Sequence, residues 1–173
     1  MKKEHITSKG SQYNFNNFNI TENNRAAFEM AKQFAENVNA KPLHIHGKTA
    51  TGKTHLLYAV KNHIELHKPD VKVILTNAEV FSEKLINTIK ECSSIPAFRV
   101  MYSEADVLLM DDIQLLAGKP TVQQQLILIF NSLYESGCRI MTTSSDTDID
   151  VMLEDRLRSR LYFEDYITIK AEV

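Results

Sequence analysis

"HIHGKTATGKTH" (residues 44–55) contains the tripeptide Gly-Lys-Thr twice, and the spacing of its glycines decides which copy carries chemistry. A phosphate-binding loop has the pattern G-x-x-x-x-G-K-[ST], and only residues 47–54 match it. In the other frame the leading glycine would have to be Pro42, so Lys48 is excluded as the phosphate-binding lysine. The spacing therefore predicts that Lys53 reaches the terminal phosphates of a nucleotide.

The residues around this pattern supply the strand–loop–helix context that a phosphate loop requires. Residues 42–46 ("PLHIH") indicate a short strand, and the segment after the loop places apolar residues at helical spacing: Leu56, Leu57, Val60 and Ile64. The amides and the dipole at the start of such a helix face the bound anion. The Thr54 hydroxyl is then expected to ligate Mg²⁺. The residues expected to surround the phosphates are Gly47, Lys48, Thr49, Ala50, Thr51, Gly52, Lys53, Thr54 and His55.

The composition indicates one globular domain of 173 residues with enough chain to bury a core. No apolar run approaches the roughly 18 residues of a membrane span, and the N-terminus lacks the apolar segment of a signal peptide. Cys92 and Cys138 match no metal spacing, so we expect two reduced, buried thiols in a cytoplasmic protein. The net charge of −2 argues against a domain that grips DNA through its surface charge alone.

Strands and helices alternate along the chain, which predicts an α/β fold with a parallel sheet. Residues 1–12 are polar and are predicted to form a disordered tail, and residues 13–173 are predicted to form one domain. The predicted strands are residues 42–46, 71–77, 106–112, 138–145 and 166–170. Predicted helices include residues 24–38, 78–92, 120–136 and 150–161, and the helix after the loop is expected to end near Pro69. Apolar residues expected to face the core include Val38, Val80, Ile86 and Ile89.

Two acids follow the buried strand "VLLM", at the edge of the sheet where nucleotide sites lie. Asp111 matches the Walker B position, where an acid holds Mg²⁺, and Asp112 could orient or deprotonate an attacking water. The alternative is that the pair only ends a strand. The next strand ends in "SSD" (residues 144–146), where Ser145 could reach the terminal phosphate or serve only as a turn residue.

The segment "EDRLRSR" places Arg156 and Arg160 on one helical face, with Arg158 pointing elsewhere. One interpretation is a solvated helix end with Glu154 and Asp155 as ion partners. The other is an arginine offered to the γ-phosphate of a neighbouring subunit, where it would stabilise the transition state.

The order of these motifs resembles the AAA+ module of the DnaA family of bacterial replication initiators. The resemblance covers about residue 13 to the C-terminus and includes "DVLLMDDIQLLAGK" (residues 106–119), "NSLYESG" (131–137) and "LEDRLRSR" (153–160), together with the N-terminal pattern of residues 13–25. It implies a phosphate-loop NTPase of the AAA+ class, a three-layer αβα sandwich around a five-stranded parallel sheet. It also implies ATP or ADP with Mg²⁺ as ligand, and ATP-dependent self-association at the replication origin with opening of the duplex.

Carried over position by position, the resemblance implies that Phe18, Ile20 and Asn24 lie against adenine. It implies that Arg160 is the arginine offered in trans, with Arg156 beside it on the self-association face. The segment of residues 95–105 falls where initiators carry an extra helix that wedges between subunits.

The sequence departs from the family pattern in several places. Lys48 and Ala50 replace the usual loop glycines, which predicts a stiffer loop, and Ser145 replaces a usual aspartate. The chain ends after "YITIK" (residues 166–170), so the helical lid and the DNA-reading helix-turn-helix domain are expected to be absent. We therefore expect weak nucleotide affinity, slow ATP hydrolysis, and origin contacts made mainly through the missing domains.

The family resemblance leaves other functions open. A regulator similar to the DnaA-related protein Hda, binding nucleotide and other replication proteins without hydrolysis, would also fit the altered loop and Ser145. An unrelated phosphate-loop kinase would have no trans arginine, and "LEDRLRSR" argues against it.

Overall fold

A computed structural model describes residue 10 and residues 12–145, 153–162 and 165–170. Within them five strands form one parallel sheet in the order β2-β3-β4-β1-β5. The strands are β1 (Leu43–Gly47), β2 (Val73–Asn77), β3 (Val107–Asp111), β4 (Arg139–Ser144) and β5 (Asp165–Ile169). The predicted five-stranded parallel sheet is thus confirmed, each strand lying within two residues of its expected bounds.

Six α-helices lie before and between these strands in the described residues. They are α1 (Arg25–Glu36), α2 (Lys53–His67), α3 (Ala78–Lys90), α4 (Ile95–Ser103), α5 (Pro120–Glu135) and α6 (Asp155–Leu161). Short 3-10 turns occupy Phe15–Asn17 and Ile113–Leu116. The expected start of the last helix, at residues 150–152, lies outside the described residues. These end at Lys170, one residue after β5, so no helical lid follows the sheet within them.

The sheet separates two apolar cores, because alternate residues of a strand face opposite sides. In β1, Leu43 and Ile45 face the layer of α1 and α2. In β3, Leu108 and Met110 face the opposite core, which α3, α4, α5 and α6 cover. The result is the predicted three-layer αβα sandwich.

Several apolar residues expected to face the core are exposed. In α3, Phe81 and Leu85 are buried, whereas Val80, Ile86 and Ile89 are exposed, because only one stripe of the helix meets the sheet. Val38 is 61% exposed since α1 ends at Glu36, before that position.

One of the two cysteines differs from the expectation of two buried thiols. Cys138 is buried, and burial raises its pKa to about 11. Cys92 is exposed, because α3 ends before it and its backbone takes a left-handed conformation with φ +51°.

The register of the sheet brings four strand ends to one edge. Asn77 at the end of β2 lies beside Asp111 at the end of β3. His46 and the following Gly47, at the end of β1, lie next to Ser144 at the end of β4. Loops that leave this edge therefore enclose the crevice where ligands bind in open parallel sheets.

Candidate functional site

The loop between β1 and α2 is bounded by two glycines that the surrounding chain requires. A Cβ at Gly47 would lie 2.7 Å from the Ile169 carbonyl oxygen. A Cβ at Gly52 would lie 2.8 Å from the Phe18 ring, and Gly52 has a left-handed backbone with φ +96°. Between them Ala50 also has a positive φ, +66°, which is unfavourable for a residue with a Cβ.

Lys53 is buried at the centre of this loop. Its side chain is 6% exposed, and Nζ donates to the carbonyl oxygens of Gly47 and Lys48 at 2.7 Å each. A buried ammonium held by neutral carbonyls at a helix start favours an anion nearby. Lys48, the lysine of the other Gly-Lys-Thr copy, is exposed. The two lysines therefore differ in burial, and Lys53 stays the predicted phosphate ligand.

Thr54 and Asp111 join the loop to the end of β3. The Thr54 hydroxyl donates to Asp111 Oδ2 at 2.8 Å, and the Thr143 hydroxyl donates to Asp111 Oδ1. Burial raises the pKa of the Asp111 carboxyl, while the two hydroxyl donors and the charge of Lys53 act in the opposite direction. A hydroxyl and a carboxylate are hard oxygen donors, so this pair fits Mg²⁺ chemically.

Asp112 directly follows β3 and has a left-handed conformation with φ +56° and ψ +49°. Its Oδ1 accepts a hydrogen bond from Gln114 Nε2 at 2.9 Å, and its Oδ2 lies 3.4 Å from the donor Asn77 Nδ2. Its backbone N–H donates to Thr143 Oγ1 at 3.2 Å. The carboxylate is therefore oriented by side chains from β2 and from the turn after β3.

A cleft of about 450 Å³ opens between the loop and these acids. Its lining consists of Thr49, Ala50, Gly52, Lys53, Thr54, Asp112, Gln114, Leu115 and Ser145. Ser145 thus lies at the same cleft as Asp112, as expected from its strand. Ser144 does not, because its hydroxyl bonds histidines in the sheet, and Asp146 lies outside the described residues.

A second cleft, of about 430 Å³, lies on the other side of the loop. Its lining includes Phe18, Asn24 and His55, three of the residues expected near the nucleotide. Ile20 lies outside this lining and is 39% exposed. The cleft also borders Ile169 at the end of β5. One loop therefore separates two neighbouring clefts that together could hold a base and a chain of phosphates.

The side chains at the second cleft are held from within the chain. The Asn24 side chain accepts from the Thr21 N–H at 2.8 Å and donates to the Asn19 carbonyl at 3.0 Å. His55 Nε2 lies 3.0 Å from the carbonyl of Asn14, an acceptor, so this nitrogen carries the proton and donates. Asn24 thus shapes the turn at the cleft through its amide.

A polar network lies in the sheet beneath the loop. His44 is 1% exposed, with its ring nitrogens 2.7 Å from Thr142 Oγ1 and 2.9 Å from Ser144 Oγ. His46 Nδ1 lies 2.9 Å from the same Ser144 hydroxyl. Burial, with the nearby His46, lowers the pKa of His44 to about 3, so His44 is neutral near pH 7.

The arginines of α6 lie away from these clefts. Arg158 pairs with Asp155 at 2.6 Å, whereas Arg156 and Arg160 are exposed. Arg160 borders Pro42 and Leu43, at the start of β1. The loop begins at the other end of that strand, about 13 Å away at roughly 3.3 Å per residue. Arg160 is therefore placed at the opposite end of β1 from its own phosphate loop.

Three residues of this edge were missed by the sequence reasoning: Asn77, Gln114 and Thr143. Asn77 is a polar residue that ends an apolar strand, which is a usable signal. Gln114 and Thr143 carry no such signal, because their partners are set by the register of β3 and β4.

Two kinds of feature are absent from the described residues. No group of three or more His, Cys, Asp or Glu residues there could hold a metal ion. None of the helices in that part of the chain is long and apolar enough to cross a membrane.

The parallel sheet, the glycine-bounded loop with its buried lysine, and the Thr54–Asp111 contact define the core of a phosphate-loop NTPase of the AAA+ class. A sequence profile of the bacterial DnaA ATPase domain matches residues 10–167. The chain therefore belongs to the bacterial DnaA ATPase domain family, as the resemblance of its motifs indicated.

Solved structures agree with this assignment. A replication initiator DnaA bound to AMPPCP and single-stranded DNA is 35% identical, with a TM-score of 0.85 over 92% of this chain and 50% of that one. AMPPCP-bound DnaA from Aquifex aeolicus is 36% identical, with a TM-score of 0.84 and the same coverage of 92% and 50%. Domain III of DnaA from Thermotoga maritima is 34% identical, with a TM-score of 0.85 over 91% and 66%. The chain thus spans half the length of the first two relatives.

Proposed function

We propose that this chain is the ATP-binding core of a DnaA-type replication initiator, which binds ATP with Mg²⁺ and self-associates in response. The observation that carries the proposal is the convergence of Lys53, Thr54 and Asp111 at one end of the sheet. DnaA relatives at about one-third identity were solved with AMPPCP, an ATP analogue, which supports ATP as the ligand.

Nucleotide binding replaces hydrogen bonds that the phosphate loop makes within itself. Lys53 exchanges the carbonyl oxygens of Gly47 and Lys48 for phosphate oxygens, and the amides at the start of α2 face the same phosphates. Phe18, Asn24 and His55 enclose the base in the second cleft.

The metal and the attacking water are assigned to the acids after β3. Thr54 and Asp111 would hold Mg²⁺, which neutralises phosphate charge when bound. Asp112 orients the attacking water or accepts its proton, and Ser145 faces the same cleft. We expect slow hydrolysis, because the Ser145 hydroxyl holds an attacking water less strongly than a carboxylate would.

Self-association is assigned to the face that carries Arg156 and Arg160. Arg160 lies at the far end of β1 from its own loop and is exposed, so it can reach the nucleotide of a neighbouring subunit. An arginine offered in this way stabilises negative charge on the terminal phosphate. Contact with origin DNA is assigned mainly to other domains, since this chain has a net charge of −2.

A second candidate is a regulator that binds nucleotide and other replication proteins without hydrolysis. The strained Ala50 in the loop and Ser145 at the cleft favour this reading. The two candidates share the nucleotide site and differ in turnover.

Calorimetry with ATP and Mg²⁺ on the wild type, Lys53→Ala and Lys48→Ala tests the proposal, because the two lysines belong to matched Gly-Lys-Thr copies. Lys53→Ala should weaken binding at least about 100-fold, since a charged hydrogen bond is worth about 1.5–3 kcal/mol and Lys53 makes more than one. Lys48→Ala should change binding less than about threefold, because solvent screens an exposed charge. Equal ATP binding by all three proteins would contradict the assignment of Lys53 to the nucleotide site. Turnover by the wild type separates the two candidates.

A further inference from the structure

Gln114 connects the two strand ends at the first cleft. Its Nε2 donates to Asp112 Oδ1 at 2.9 Å, and its Oε1 accepts the backbone N–H of Ser145 at 3.0 Å. Gln114 is part of the 3-10 turn after β3, whereas Ser145 directly follows β4. One planar amide therefore joins the proposed water-orienting carboxylate to the segment expected to contact the terminal phosphate.

The Asp112 backbone makes such a connection necessary. Asp112 has a left-handed conformation that is unfavourable for a residue with a side chain, so the surroundings must hold it there. Its N–H bond to Thr143 fixes the backbone, while the bond from Gln114 fixes a carboxylate oxygen. Among the described residues, Asn77 is the other amide donor near this carboxylate, at the longer distance of 3.4 Å.

We propose that Gln114 is a positioning residue that holds the Asp112 carboxylate and Ser145 in register around the terminal phosphate of bound ATP. The inference rests on the proposed function. The primary amide is suited to this role because it offers a donor and an acceptor on one rigid group. The binding contacts of Lys53 and Thr54 do not involve Gln114. Its loss should therefore affect mainly the chemical step, and it should affect affinity only through the terminal phosphate that distinguishes ATP from ADP.

Three variants divide the role of Gln114 into its parts. Gln114→Met keeps the length of the side chain and removes both bonds. Gln114→Glu keeps the acceptor for the Ser145 N–H and places a carboxylate next to Asp112, where like charges repel. Gln124→Met is the matched control, because Gln124 is an exposed glutamine of α5.

The measurements are ATP turnover with its kcat and KM, the ratio of ADP to ATP dissociation constants, and thermal unfolding. Gln114→Met should lower kcat about 30-fold, which is about 2 kcal/mol at 1.36 kcal/mol per tenfold, because both hydrogen bonds are lost. Gln114→Glu should lower it more, about 100-fold, because Asp112 is displaced. KM should change less than about threefold in both. If the chain binds ATP without turnover, its preference for ATP over ADP should fall in both variants instead.

The outcomes are distinguishable. Wild-type kinetics and wild-type ATP preference in both Gln114 variants would overturn this inference and leave the proposed function intact. A raised KM with unchanged kcat would also overturn it, since that pattern indicates a structural role in binding. Absence of ATP binding by the wild type would overturn the proposed function and this inference together. Thermal unfolding like that of Gln124→Met shows that a loss of kcat does not come from unfolding.

Discussion

The phosphate-loop edge of the sheet and the arginine helix α6 differ in how their charged groups are held. At the loop, Lys53 and Asp111 are buried and each is bonded by groups of the same chain. On α6, Arg156 and Arg160 are exposed, and Arg160 lies at the other end of β1. Under the proposed function, one chain thus builds the half of the site that binds nucleotide, and it presents the other half outward. Changes at the loop should affect binding, and changes on α6 should affect assembly.

The largest effect is expected from Gly52→Ala. The new Cβ would lie 2.8 Å from the Phe18 ring, and the alanine backbone would have to adopt a φ of +96°. Left-handed strain and overpacking together cost about 2–5 kcal/mol, so ATP affinity should fall about 30-fold or more. Calorimetry with ATP measures this loss of affinity.

Gly118→Ala is the matched control for Gly52→Ala. Gly118 also has a positive φ, +69°, but no atom lies within 4 Å of the added Cβ. It should lower stability by about 1 kcal/mol and leave ATP affinity unchanged. Equal losses of affinity in the two variants would show that the contact with Phe18 is irrelevant.

The next largest effect is expected from Arg160→Ala, which separates the role of α6 from that of the phosphate loop. Arg160→Ala should weaken ATP-dependent self-association about 10- to 100-fold, because a charge-assisted contact is worth about 1.5–3 kcal/mol. ATP binding by the separate chain should stay the same, since Arg160 is far from its own loop. Sedimentation velocity with ATP and with ADP measures the association.

Arg158→Ala controls for the loss of an arginine from α6, because Arg158 pairs with Asp155 in its own helix. It should retain most of the ATP-dependent association. Assembly that suffers equally in both variants would assign the interface to the general charge of α6 and not to Arg160.

The smallest effect concerns the stiffness of the loop. Ala50→Gly relieves a φ of +66°, which costs about 1–2 kcal/mol, but glycine also loses about 0.5–1 kcal/mol of chain entropy on folding. Urea unfolding should therefore show a gain of about 0.5–1 kcal/mol. Thr49→Gly, at a neighbouring position without a positive φ, should destabilise instead. Destabilisation by Ala50→Gly would mean that the loop is not strained there.

The sequence was informative wherever a role depends on spacing along the chain. Lys53, Thr54 and Asp111 follow from a loop pattern and from an acid at the end of an apolar strand, and the structure brings them together. Gln114 and Thr143 could not be found in this way, because their roles depend on which strands are neighbours and in what register.

The sequence pattern also did not predict the orientation of individual side chains. Asn24 lies at the expected cleft, yet its amide is used on Asn19 and Thr21, and Ile20 points outside the cleft lining. The apolar pattern of α3 likewise indicated a helix but overestimated how much of its surface is covered. Periodicity reports that a residue can be buried, while the neighbouring layer decides whether it is.

The central claim is that a complete site takes its loop from one chain and Arg160 from another. A mixing experiment tests it most directly: an Arg160→Ala chain, with an intact loop, is combined with a Lys53→Ala chain, with an intact α6. We predict that neither variant assembles alone with ATP, and that the mixture regains ATP-dependent association through one composite site. ATP-dependent assembly of the Arg160→Ala chain alone, to the wild-type extent, would contradict the claim.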